Sequence, residues 1–87
     1  MKEEEILRGL EELMRHSGVQ VRYEKGDFDG GLCIIKDKRM LILNRTQSSA
    51  YHIRVLAGEL AKLPLDEVFM LPALRQVIDE VGLQPGR

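Results

Sequence analysis

Cys33, His52 and Glu59 are the side chains of this 87-residue chain with chemistry to offer. A thiol beside an imidazole makes a nucleophile and its base. An imidazole with a carboxylate can hold a metal or move a proton. Spacing argues against most of these pairings. His52 and Glu59 lie two helical turns apart, about 10 Å along the axis, too far to share a metal or a hydrogen bond. His52 neighbours the apolar stripe of its helix without belonging to it, so it reads as a surface histidine. Glu59 pairs with Lys62 one turn on, or faces solvent. Cys33 stands between Leu32 and the pair Ile34-Ile35, which disfavour a thiolate, and reads as a small buried hydrophobe. A helix packed on its face would bring His52 towards it, so a Cys-His pair is the enzymatic alternative.

The glycines and acids between the strands offer less. Gly26, Gly30 and Gly31 lack the Lys-Ser/Thr of a phosphate loop, and Asp27 and Asp29 would repel phosphate. Counting Asp27 as the first position of a calcium loop puts Lys38 at the twelfth, where a glutamate is needed.

The elements that must carry these residues are legible in the hydrophobic pattern. Ile6, Leu7, Leu10, Leu13 and Met14 recur at helical spacing and predict a helix over 3–17, with Gly18 as its stop. Val19, Val21 and Tyr23 alternate with polar residues, as in a half-buried strand. Residues 25–31 form a loop. Gly30 to Ile35 and Met40 to Asn44 then read as a hairpin. A turn at Asp37-Lys38 would pair Ile35 with Met40 and Cys33 with Ile42. Alternation puts Leu32, Ile34, Leu41 and Leu43 on one face, and Cys33, Ile35, Met40 and Ile42 on the other. Both faces are apolar, so an incompletely covered one offers an interaction surface. The Cys33, Ile35, Met40 and Ile42 face is the candidate. A helix runs from Ser48 to Leu63, ended by Pro64, and a last one from Pro72 to Gly82. Residues 83–87 read as a frayed tail. The predicted fold is a single α+β domain over 1–87, in the order α-β-β-β-α-α, with an antiparallel sheet and helices packed on it.

Composition narrows the function classes. Hydrophobic residues make up 44% and charged residues 31%, as in an ordinary globular domain. A net charge of −1 lacks the basic excess of a nucleic-acid binder. The one cysteine allows no internal disulfide, which favours a reducing, cytoplasmic setting. The acidic start Lys2-Glu3-Glu4-Glu5 does not read as a signal peptide, and no apolar run is long enough to span a membrane.

Gly18-Val19-Gln20-Val21, Gly30-Gly31-Leu32, Leu41-Ile42-Leu43-Asn44-Arg45 and the helix from Ser48 follow one another in an order that resembles the core of the ImmA/IrrE-like metallopeptidases, a zincin family. The resemblance spans about residues 6–63 and implies a zinc-binding helix carrying His-Glu-x-x-His. That motif works because residues four apart share a helix face, so both imidazoles reach one zinc while the glutamate activates its water. Here the matching residues are Gly58-Glu59-Leu60-Ala61-Lys62. The glutamate is present and both ligands are absent, so the resemblance implies a catalytically dead member without metal or cofactor. His52 and Glu59 are the residues of a vestigial site.

The leading expectation is a non-catalytic domain acting by protein association, with a homodimer as its simplest form. The alternatives are a metal-binding or hydrolase-like module built on Glu59, His52 or Cys33, and a regulatory partner of a DNA-binding protein, as some members of that family are.

Overall fold

A computed structural model describes residues 1–83; residues 84–87, most of the expected frayed tail, lie outside the described residues. Three helices and three strands run in the order α1 (Glu3–His16), β1 (Val19–Glu24), β2 (Gly31–Ile35), β3 (Lys38–Asn44), α2 (Ser49–Leu60) and α3 (Pro72–Gly82).

Local chemistry sets the helix ends. Glu3, Glu4 and Glu5 occupy the positive end of α1, and Glu5 Oε1 accepts from the Lys2 backbone N–H at 2.9 Å. Ser48 caps α2, its hydroxyl accepting from the Tyr51 N–H at 3.1 Å. Pro72 is the first residue of α3. Helix α2 stops at Leu60, earlier than its stripe suggests. Pro64 disfavours helical backbone at Leu63, and the chain tightens into turns in which Lys62 N donates to Glu59 O and Leu63 N to Leu60 O.

The sheet corrects the expected antiparallel arrangement. Its spatial order is β1-β3-β2, with β3 parallel to β1 and antiparallel to β2. β3 takes the centre, where both its edges are paired; Met40, Leu41 and Leu43 are buried there. The chain must therefore cross over the end of β3 between β1 and β2. Asn44, the last residue of β3, ties that crossing down: its Nδ2 donates to Gly26 O at 2.8 Å and to Phe28 O at 2.6 Å. Gly30 is needed in the same loop. It has φ +89°, and a Cβ there would meet Ile42 O at 2.8 Å.

The hairpin turn also differs from the expected one. Lys36 and Asp37 occupy it, with φ 52° and 69°, the two left-handed residues of a type I′ turn. Ile35 therefore pairs with Lys38, Cys33 with Met40 and Leu32 with Leu41. Moving the turn by one residue shifts the register by two, which leaves every side chain on its expected face.

Helices α1 and α2 pack on one face of β1 and β3. The core there is aliphatic, with Leu10, Met14, Leu41, Leu43, Leu56 and Leu60 fully buried. Each such side chain contributes roughly 1.5–3 kcal/mol of transfer free energy. Arg75 of α3 braces the connection from α2 by donating to Leu65 O at 3.1 Å.

Candidate interaction surface

The three residues with chemistry to offer are not brought together. His52 is a buried residue, 5% exposed, which corrects its reading as a surface histidine. The β3–α2 turn, closed by Gln47 N donating to Asn44 O at 3.0 Å, folds the first turn of α2 back onto the end of β3. His52 Nε2 consequently lies 2.6 Å from Asn44 O and, facing a carbonyl, donates to it. Its ring stands edge-on to Tyr23 at a centroid distance of 5.2 Å. Tyr23 in turn donates its hydroxyl proton to Glu11. Burial, then the Glu11 hydrogen bond and charge, push the Tyr23 phenol well above its usual range.

Glu59 sits in the last turn of α2, and its carboxylate receives Lys62 Nζ at 3.3 Å. The five residues that match a zinc-binding motif by position do not share one helix, because α2 ends at the third of them. Cys33 is on the sheet face opposite the helices, so the sheet separates it from His52. Among the described residues, no three His, Cys, Asp or Glu side chains are grouped as a metal site.

The apolar surface is larger than expected on one side of the molecule and smaller at one residue. On the bare face, Ile35 is 48% exposed, Cys33 and Ile42 are half-buried, and Met40 is only 8% exposed. Met40 contributes no open surface, because it lies in the central strand with Gln20 and Cys33 as cross-strand neighbours. The helix-side face of β2 is the unexpected part. β2 extends beyond the helical layer, leaving Leu32 45% and Ile34 69% exposed. The residues were visible in the sequence; their exposure follows from β2 being an edge. On the bare face, a mainly apolar groove of ≈ 500 Å³ is lined by Phe28, Gly30, Gly31, Cys33 and Ile42, with Glu24 and Asp29 at its polar margin.

The two sheet edges are unlike. β1 bears an Arg22–Glu24 ion pair at 2.7 Å, and Arg45 Nη2 donates to Tyr23 O at 3.2 Å. Charged side chains of this kind discourage strand addition. β2, Gly-Leu-Cys-Ile-Ile, carries no charge and no proline. Among the described residues no helix is long and apolar enough to cross a membrane.

Comparison with known proteins returned no matching family model, no matching curated protein and no matching solved structure.

Proposed function

We propose that this domain is a non-catalytic association module that binds a second copy of itself through the β2 side of its sheet. The observation that supports this reading is the unguarded edge: Leu32, Ile34 and Ile35 exposed on a strand without a charge. Unpaired strand N–H and C=O groups flanked by apolar side chains are a template for another strand. The hydrolase-like alternative needs Glu59, His52 and Cys33 free to act. Lys62 occupies the first, Asn44 O the second, and the sheet separates the third from the other two. Kinship with a catalytically dead zincin core rests on element order alone. A cytoplasmic setting is part of the proposal and rests on the single unpaired cysteine.

Light scattering across a concentration series tests the reading. The native chain is expected to move from monomer towards dimer, and Ile34→Lys to remain monomeric with an unchanged far-UV circular dichroism spectrum. A native chain that stays monomeric throughout overturns it.

A further inference from the structure

The type I′ turn determines which backbone groups β2 presents outward. In a two-residue hairpin, the residues flanking the turn exchange both hydrogen bonds, and hydrogen-bonded and non-hydrogen-bonded pairs alternate from there. Ile35 and Lys38 flank the turn. Ile35, Cys33 and Gly31 therefore direct their N–H and C=O groups at β3, while Leu32 and Ile34 direct theirs away from the molecule.

A second strand can dock only where its own outward groups meet these. For an antiparallel copy of β2, the register that overlaps all five residues, Gly31–Ile35, sets Leu32 against Ile34 of the other copy and Ile34 against its Leu32. Both pairs are hydrogen-bonded. Cys33 then faces Cys33 across the two-fold axis as a non-hydrogen-bonded pair. Slipping the register by two either way keeps the outward groups matched but runs part of β2 past the end of its partner.

Charge favours the same arrangement. The turn end of β2 is net basic, with Lys36 and Lys38 against Asp37, and the loop end is net acidic, with Asp27 and Asp29 against Lys25. An antiparallel two-fold places the basic end of each copy beside the acidic end of the other; a parallel pairing sets like against like. A self-complementary patch of this kind closes as a dimer rather than extending as a fibre, because among its described residues each copy has one unguarded edge.

The geometry points to a homodimer in which two β2 strands pair antiparallel about Cys33, joining the sheets into one of six strands. This inference rests on the self-association reading and specifies its register. Leu32 and Ile34 of both copies form one apolar patch on the helix side, and the two thiols meet on the bare face. Cα atoms of a non-hydrogen-bonded pair are roughly 4.5 Å apart, inside the roughly 4.4–6.8 Å that a disulfide bridges.

Cys33 is thus a built-in reporter. Diamide takes two electrons and two protons from two thiols and leaves a disulfide. The expected result is a non-reducing gel on which most of the native chain runs as a dimer after brief oxidation. Ile34→Lys keeps the thiol and its fold, and its crosslinking rate should fall at least tenfold. A chain that is dimeric by light scattering but does not crosslink through Cys33 overturns the register and leaves self-association standing. A chain that is monomeric by light scattering overturns both. Crosslinking that is equally fast in Ile34→Lys reports random collision and also overturns the register.

Discussion

Replacing Asn44 by alanine tests whether the crossing loop is held as the structure describes. The side chain makes four hydrogen bonds: donations to Gly26 O and Phe28 O, and acceptances from Thr46 N at 3.1 Å and Thr46 Oγ1 at 2.8 Å. Each is worth roughly 0.5–1.5 kcal/mol net. All four are only partly buried, and their freed partners can turn to water, so the expected loss is about 2–4 kcal/mol. At roughly 0.05–0.15 kcal/mol per residue, a chain of 87 residues is stable by about 4–13 kcal/mol. Over all but the lowest part of that range the variant still folds. Urea unfolding followed by circular dichroism should show a midpoint about 1–2 M lower, taking a slope of roughly 2 kcal/mol/M. The loss should also be local. Trypsin should cut after Lys25 sooner than in the native chain, while cleavage after Lys62, far from Asn44 in the fold, rises only with global instability. Asn44→Asp should behave worse near neutrality, since its carboxylate faces the carbonyls of Gly26 and Phe28, and should recover as acid protonates it. A midpoint that moves by less than about 0.3 M, or a global loss with no preference for Lys25, would refute the reasoning.

Further expectations concern the turn and the Tyr23 phenol. Lys36→Asn with Asp37→Gly relieves a turn whose left-handed cost, roughly 1–2 kcal/mol, falls mainly on Lys36, since Asp tolerates that region, so the pair should stabilise the domain by about 1–2 kcal/mol and raise Tm by roughly 4–8 °C per kcal/mol; a lower Tm would contradict the type I′ assignment. The Tyr23 proton is held more tightly in the folded chain than in the unfolded one. Its contribution is fully present below the unfolded value of 10.0 and is lost as pH rises towards the higher folded value. Tyr23→Phe should flatten the fall in stability above that pH in urea titrations, and an unchanged slope would show that the phenol is not held by burial and Glu11.

Much of this fold can be read from residue spacing, and the errors have physical causes. The stripe Leu10, Leu13, Met14 and the alternation Val19, Val21, Tyr23 each bury one side of a regular element, so pattern and structure agree. The two hairpin faces survived a misplaced turn because strand parity is unchanged by a register shift of two. Sheet order was hidden. β2 and β3 are both apolar on both faces, and composition alone cannot say which is central. His52 was misjudged because its partner is a main-chain carbonyl, brought to it by the turn at residues 45–48, and backbone acceptors leave no trace in a side-chain pattern. Met40 and Ile34 erred in opposite directions for one reason: exposure depends on whether a strand is flanked.

That dependence links the loop to the surface. Had β2 lain between β1 and β3 as a meander, β3 would have formed an edge and the backbone of β2 would be paired on both sides. The observed order does the reverse. It requires a connection over the end of β3, which Gly30 permits by its left-handed backbone and Asn44 secures through Gly26 O and Phe28 O. The same crossing carries β2 to the outside, beyond the cover of α1 and α2, with Leu32 and Ile34 bare. Burying β2 would have been the simpler solution for stability alone, since an exposed apolar edge invites uncontrolled pairing. The opposite edge carries Arg22, Glu24 and Arg45, so the chain does guard an edge elsewhere. On the proposed reading, the edge left unguarded is the one that a second copy covers, and the guarded edge is the one that stays free.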